Sequence, residues 1–187
     1  MTNWKNSPLT VYHGTDSYAL SGHNLVLLQQ LSGFQVDLNK CSPLTDFGRG
    51  FYVTTSIFQA RNWANDRVRK RQSTRNSLAV LLSFELDRNW LSGLESLSFL
   101  LPDSDYWDIV SYSRRGNTPH NRNVVTPQSN EQYDVIYAPV SLWPQNLIIS
   151  NADQISFHSQ NICNQIPSPT VLEIGTNEQT IFERTYK

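Results

Sequence analysis

Asp46-Phe47-Gly48-Arg49-Gly50-Phe51-Tyr52-Val53-Thr54-Thr55 is the stretch that decides the fold. Its two glycines mark a tight turn, and glycine accepts the positive φ that such a turn requires. Residues 51–55 then read as a core β-strand, rich in aromatic and β-branched side chains. Ser56 follows as a helix N-cap, and Ile57, Ala60, Trp63, Ala64 and Val68 recur at helical spacing. Arg67-Val68-Arg69-Lys70-Arg71 places cations where that helix should end.

Val11-Tyr12-His13-Gly14-Thr15, about 40 residues upstream, reads as another strand running into a glycine. A third segment, Asp153-Gln154-Ile155-Ser156-Phe157, reads as a late strand. Alternation puts Gln154, Ser156 and His158 on one face and Ile155 and Phe157 on the other. Elsewhere, residues 25–31 suggest a short helix or strand and 34–38 a short strand. Residues 78–86 are apolar on both faces and read as a buried strand. Helices are predicted over 90–101, ended by Pro102, and over 103–113, burying Tyr106, Trp107, Ile109 and Val110. Residues 114–132 are polar and contain Gly116, Pro119 and Pro127, which predicts a long loop. Strands are expected over 133–140, 147–150, 154–158 and weakly over 171–174. Strands mixed with helices, without regular βαβ alternation, make the class α+β.

The chain has 187 residues and is 39 % hydrophobic. A single domain over 1–187 is the simplest reading, with a core over about 9–165 and a polar extension over 166–187. A formal net charge of −1 excludes a globally basic nucleic-acid binder and leaves room for a local basic face. Cys41 and Cys163 stand far apart with no Cys-x-x-Cys pair, so neither a zinc site nor a disulfide framework is predicted. Reduced cytosolic thiols are the expectation. No apolar run reaches transmembrane length, and residues 1–6 lack an apolar signal core. The expected protein is cytoplasmic, makes no membrane contact and needs no metal. Delivery into another cell's cytoplasm would leave no trace in the sequence.

Val11-Tyr12-His13-Gly14-Thr15 resembles the first-strand His-Gly-Ser/Thr motif of the ADP-ribosyltransferase superfamily, in its PARP and diphtheria-toxin-like branch. Asp46-Phe47-Gly48-Arg49-Gly50-Phe51-Tyr52 is similar to that branch's second motif, a Phe-Gly-x-Gly turn leading into an aromatic strand. The likeness is closer to a bacterial family of ADP-ribosyltransferase-like domains with an Asp-Phe-Gly-x-Gly-Phe-Tyr-x-Thr-Thr run. There a helix with Gln-Ala and Trp-Ala follows, here Gln59-Ala60 and Trp63-Ala64. Trp107-Asp108-Ile109-Val110, Tyr133-Asp134-Val135-Ile136 and the Asp153-Gln154-Ile155 strand extend it over about residues 9–165. The resemblance implies a split antiparallel β-sandwich, with flanking helices and a central NAD cleft. It implies that His13 bonds the adenine-side ribose, that the Gly14 backbone reads the nicotinamide amide, and that Tyr52 stacks on nicotinamide. Thr15, Phe47, Gly48 and Gly50 complete the implied cofactor set. Asp-Phe-Gly also occurs in kinases, but no phosphate loop or Val-Ala-x-Lys motif accompanies it here.

Breaking the nicotinamide–ribose bond of NAD forms an oxocarbenium-like centre and a neutral leaving group. A protein helps by fixing a bent pose, by stacking the ring, and by holding ribose hydroxyls beside the developing cation. Many transferases carry a Glu at the third element, and this chain has Gln154. A Gln holds a hydroxyl but cannot ionise, and a carboxylate of similar shape would accept the same bond. Gln154 is therefore the third expected catalytic residue beside His13 and Tyr52, with Asp153 in reserve.

The resemblance implies mono-ADP-ribosyl transfer, of a kind common in small bacterial toxins. These serve in toxin–antitoxin and phage-defence systems or as delivered effectors, which implies an antitoxin or immunity partner. The rival readings are an NAD glycohydrolase, with water as acceptor, and a non-catalytic module binding an NAD derivative or nucleic acid. Arg61, Arg67, Arg69, Lys70, Arg71 and Arg75 form one basic cluster, and Arg114, Arg115, His120 and Arg122 another. Read as a phosphate-tracking groove, they favour RNA over protein as the macromolecular acceptor. Arg69, Lys70, Arg71, Arg114 and Arg115 are the expected acceptor-binding residues, and Tyr106, Trp107 and Tyr112 are candidates to stack bases.

Overall fold

A computed structural model of the chain describes residues 6–71, 77–117 and 133–175, without the side chain of Arg71. In chain order the elements are β1 (Leu9–Asp16), a 3-10 helix (Leu38–Lys40), β2 (Phe51–Val53), α1 (Ile57–Arg71), β3 (Ala79–Leu86) and α2 (Arg88–Ser92). Then come β4 (Ser96–Ser98), α3 (Ser104–Arg114), β5 (Val135–Ser141), β6 (Ile148–Phe157), α4 (Gln160–Cys163) and β7 (Thr170–Ile174). Among the described residues the class is α+β with two sheets. The described residues fall into two compact units, one drawn from 1–34, 53–89 and 167–187, the other from 35–52 and 90–166.

The first unit is built on an antiparallel sheet ordered β1-β3-β7. β3 is its central strand, and its near-continuous apolar run, Ala79-Val80-Leu81-Leu82, is fully buried. Helix α1 covers one face through Ala60, Ala64 and Val68, spaced one helical turn apart and all buried. Its start is capped in relay. Ser56 Oγ accepts from Gln59 N–H (3.3 Å), the Ser56 N–H goes to Thr54 Oγ1 (3.0 Å), and Thr54 Oγ1 donates to Gln59 Oε1 (3.2 Å). The helix lies against β1 at Gly14 so closely that a Cβ there would come within 1.8 Å of the Ala60 carbonyl oxygen.

The second unit carries a mixed sheet ordered β2-β6-β5-β4. Phe47, Phe99, Tyr106, Val110, Ile136 and Ala138 form its core. Phe47 stacks on Phe99 (ring centroids 6.1 Å apart, 8° between planes), and Tyr106 meets both edge-on. Asp103 caps α3 by accepting the Tyr106 N–H at 3.0 Å.

Several local expectations are corrected. Residues 25–31 form turns and one isolated bridge, Gln30 to Thr170, rather than an element of their own. The strand expected over 34–38 is absent: residues 34–37 carry no regular structure and lead into the 3-10 helix, where Asp37 accepts the Asn39 N–H. The helix expected over 90–101 is the short α2 followed by β4, which pairs parallel to β5 with Ser96 opposite Val135. That pair also corrects the all-antiparallel expectation. Residues 147–150 and 154–158 belong to one strand, β6, with Asn151 inside it at a φ of 56°. Residues 118–132, including Pro119, His120, Arg122 and Pro127, lie outside the described residues, as does Arg75.

Candidate functional site

In the second unit the decisive stretch opens on a buried carboxylate. Asp46 Oδ1 accepts Arg114 Nε–H (2.8 Å) and the Ser141 hydroxyl (2.6 Å), and Arg114 Nη2 stands 2.6 Å from the same oxygen. Asp46 Oδ2 accepts the Ser141 backbone N–H (2.9 Å) and Gln154 Nε2–H (2.7 Å). The side chain is 2 % exposed. A buried carboxylate is tolerable when a guanidinium and neutral donors surround it in this way. Sequence reading did not single out Asp46. The signal available was an acidic residue heading an otherwise apolar and glycine-rich run.

The rest of the motif is equally engaged. Phe47, expected in the cofactor set, is completely buried, and its side chain is a core anchor. Gly48 has a φ of 75°, the conformation only glycine takes without strain. Arg49 Nη1 donates to the carbonyls of Leu38 (3.1 Å), Asn39 (3.0 Å) and Cys41 (2.8 Å), closing the 3-10 helix. Gly50 owes its identity to close approach: a Cβ would lie 2.8 Å from His158 Cε1. The imidazole of His158 is fixed by Arg49 O at Nδ1 and Ser156 Oγ at Nε2, each at 2.9 Å. Because Arg49 O only accepts, Nδ1 carries the proton.

Tyr52 is partly buried. Its hydroxyl accepts the Phe47 N–H (3.1 Å) and lies 2.8 Å from Thr45 Oγ1 and 2.9 Å from Gly48 O. Thr45 Oγ1 also meets Gly48 O. The phenol thus ties the 45–48 turn together, while its ring meets His158 edge-on at 6.1 Å. Burial pushes the phenol above its ordinary range, outweighing the hydrogen bonds from Thr45 and Phe47 that pull it down. It stays protonated near neutrality and cannot act there as a base. The ring packs against the second unit's core.

Gln154 is buried and committed. Its Nε2 donates to Asp46 Oδ2 and to Pro139 O (2.8 Å), the carbonyl that also accepts the Tyr106 hydroxyl (3.0 Å). The face sharing Gln154, Ser156 and His158 is a polar line on β6, joined at its far end by the Ser156–His158 bond. Asp153 lies on the opposite alternation and is partly exposed.

In the first unit, His13, Gly14 and Thr15 sit on β1 opposite Leu82, Leu81 and Val80 of β3. Tyr12 exchanges both backbone hydrogen bonds with Thr54 (2.7 and 2.9 Å) on the side away from β3. By strand alternation the N–H and C=O of Gly14 point to that same side, past the end of the one-residue bridge. The His13 side chain is partly buried and that of Thr15 buried. Next along β1, the buried Asp16 holds Arg67 Nε at 3.0 Å and the Ala19 N–H at 2.9 Å.

The basic residues divide sharply. Arg61 forms a forked pair with Glu173 and Arg67 pairs with Asp16, so both serve the first unit's own structure. Arg69 makes a half-exposed pair with Asp66 at 3.4 Å, and Lys70 is exposed. Arg114, expected as an acceptor contact, donates to Asp46 and to Leu44 O (3.0 Å). Its neighbour Arg115 caps α3 and is exposed. Tyr106 is core, Trp107 packs against that core, and Tyr112 is half exposed.

Among the described residues no group of three or more His, Cys, Asp or Glu is placed to hold a metal ion. No described helix is long and apolar enough to cross a membrane. Burial pushes the Cys163 thiol up to about 12, and it stays a thiol at physiological pH.

No curated protein and no solved structure matches the chain. A family match spans residues 32–142, which takes in Asp46, Tyr52, Arg114 and Ser141 and leaves out His13 and Gln154. The chain belongs to that family, described as a protein of unknown function, DUF3990.

Proposed function

We propose that this chain is a mono-ADP-ribosyltransferase with an ADP-ribosyltransferase-like fold, using NAD as co-substrate. In the reaction the bond between nicotinamide nitrogen and ribose C1′ breaks, and nicotinamide leaves with the electron pair. A nucleophile on a macromolecule forms the new bond to C1′ and releases its proton. The observation that carries the reading is Gly14. Its backbone offers one donor and one acceptor past the end of the Tyr12–Thr54 bridge, in a strand that also bears His13. A carboxamide such as that of nicotinamide needs one acceptor and one donor side by side. Tyr52 supplies a ring whose own hydroxyl is held, so stacking on it costs little ordering entropy.

The acceptor proposed is RNA rather than protein, and the contacts proposed for it are Arg69, Lys70 and Arg115, with Arg71 beside them in sequence. The committed guanidinia of Arg61, Arg67 and Arg114 are left out of that set. The biological role proposed is a bacterial toxin acting in the cytoplasm and neutralised by an antitoxin or immunity protein.

One observation favours a second reading, a non-catalytic module that binds an NAD derivative. The carboxylate nearest Gln154 is Asp46, and its oxygens are already occupied by Arg114, Ser141 and Gln154 itself. Incubation with labelled NAD and whole-cell lysate, followed by nuclease or protease, separates the readings. Label removed by nuclease supports the RNA acceptor, and label removed by protease replaces it with protein. Free ADP-ribose alone means water is the acceptor. NAD bound but unchanged means the module.

A further inference from the structure

We propose that Asp46 is a positioning residue that locks the Gln154 amide as an acceptor-only contact, so that this side chain receives a ribose hydroxyl. The ribose rests on the NAD reading above; the lock does not. Both partners of Gln154 Nε2, the Asp46 carboxylate (2.7 Å) and the Pro139 carbonyl (2.8 Å), can only accept. Both amide hydrogens are therefore spent. A flipped amide would set Oε1 against two acceptors and lose two hydrogen bonds, one of them charge-assisted.

Asp46 cannot turn to relieve such a flip. Arg114 and Ser141 hold Oδ1, and the Ser141 N–H holds Oδ2. Among the described residues none donates to Gln154 Oε1, and that atom is not sealed from solvent. What the side chain offers a ligand is thus one uncharged, oriented acceptor. It suits a hydroxyl and rejects a phosphate or carbonyl oxygen. The same geometry accounts for Gln at this position. A Glu would put a second carboxylate about where the amide now meets Asp46, and like charges so close oppose joint ionisation.

The test uses the full chain and two readouts. The first needs no ligand: the Gln154 side-chain amide protons in an NMR spectrum, assigned by their loss in Gln154→Leu. In the wild type both should lie downfield and resist solvent exchange, and Asp46→Asn should abolish that protection. Ser141→Ala, which removes one donor and keeps the ion pair, should weaken it if Asp46→Asn does not fold. An unprotected amide in the wild type overturns the lock, whatever NAD does. The second readout is binding of NAD against NAD analogues lacking one ribose hydroxyl each. The wild type should disfavour one analogue by about tenfold, the worth of a single neutral hydrogen bond. Gln154→Ala and Asp46→Asn should reduce that ratio to near one, whereas a merely structural loss would weaken NAD and analogue alike and keep the ratio. A retained ratio in folded Asp46→Asn overturns the positioning role. Wild-type protein that binds no NAD overturns the NAD reading and the ribose, while the amide signal still judges the lock.

Discussion

The two motifs assigned to the proposed NAD site are built in opposite ways. Across residues 46–52 the side chains turn inward: Asp46 gathers Arg114, Ser141 and Gln154, Arg49 gathers three carbonyls, and the Tyr52 hydroxyl closes its own turn. At residues 13–15 the open groups belong to the backbone of Gly14, and the strand's polish is on its other flank, against β3. The more distinctive sequence is thus mostly scaffold, and the plainer one offers hydrogen-bonding groups that no described residue takes up. A run can be rich in special residues because the fold needs each of them, not because a ligand does.

The strongest way to break the comparison is Asp46→Ala. It leaves Arg114 without its buried partner and strips Gln154 and Ser141 of an acceptor. A loss of about 3–5 kcal/mol is expected, as for other broken buried ion pairs, read from denaturant unfolding. Arg114→Ala should follow it, and Arg115→Ala should not, although the two are neighbours in sequence. A stable Asp46→Ala protein would mean that the second motif is not scaffold.

Gly14→Ala probes the other side. Its methyl would meet the Ala60 carbonyl oxygen at 1.8 Å, so α1 must shift. The upper end of overpacking costs, about 3 kcal/mol, is the expectation, measured as a fall in melting temperature. An unchanged melting temperature would show that the helix does not back the open edge.

Tyr52→Phe sharpens the comparison by separating ring from hydroxyl. Losing the phenol leaves the Phe47 N–H without its acceptor and the Gly48 carbonyl with Thr45 Oγ1 alone, at about 1–2 kcal/mol. NAD affinity should survive once the chain is folded, because stacking needs only the ring. Tyr52→Ala should lose both. If Tyr52→Phe loses NAD affinity without losing stability, the hydroxyl touches the ligand and the turn is not its purpose.

The smallest effect is expected from Arg69→Glu with Lys70→Glu. Both positions are exposed on α1, and stability should move by no more than about 0.5 kcal/mol. Transfer to nucleic acid should fall steeply and become less dependent on salt. Equal transfer by wild type and variant would leave these cations as a solvated face.

Elements governed by short periods were legible in the sequence. Ala60, Ala64 and Val68 announced α1, the run from Ala79 to Leu82 announced β3, and the apolar spacing over 103–113 announced α3. Residues 94–101 were misread because the leucines there match a helical period, while β4 is set by pairing with residues some 40 positions away, Ser96 with Val135. Gln154 was singled out by the resemblance of residues 153–157 to the family's third element, but its partner was not. Asp46 lies 68 positions from Arg114 and 108 from Gln154, and no local pattern links residues so separated. The division of the cations was hidden for the same reason, since Arg61 finds Glu173 across 112 positions.

The Asp46 cluster also has a consequence for descent. One carboxylate serves donors from three places in the chain, so drift at any of them changes what the others can tolerate. Loss of Arg114 would favour simultaneous replacement of Asp46, and loss of Asp46 would release Gln154 to become something else. Relatives should therefore keep Asp46, Arg114, Ser141 and Gln154 together or exchange them together. Of the four, only Gln154 falls beyond the segment that defines the family, 32–142. Aligned relatives extended past residue 142 should show it inherited as a member of the same linked set.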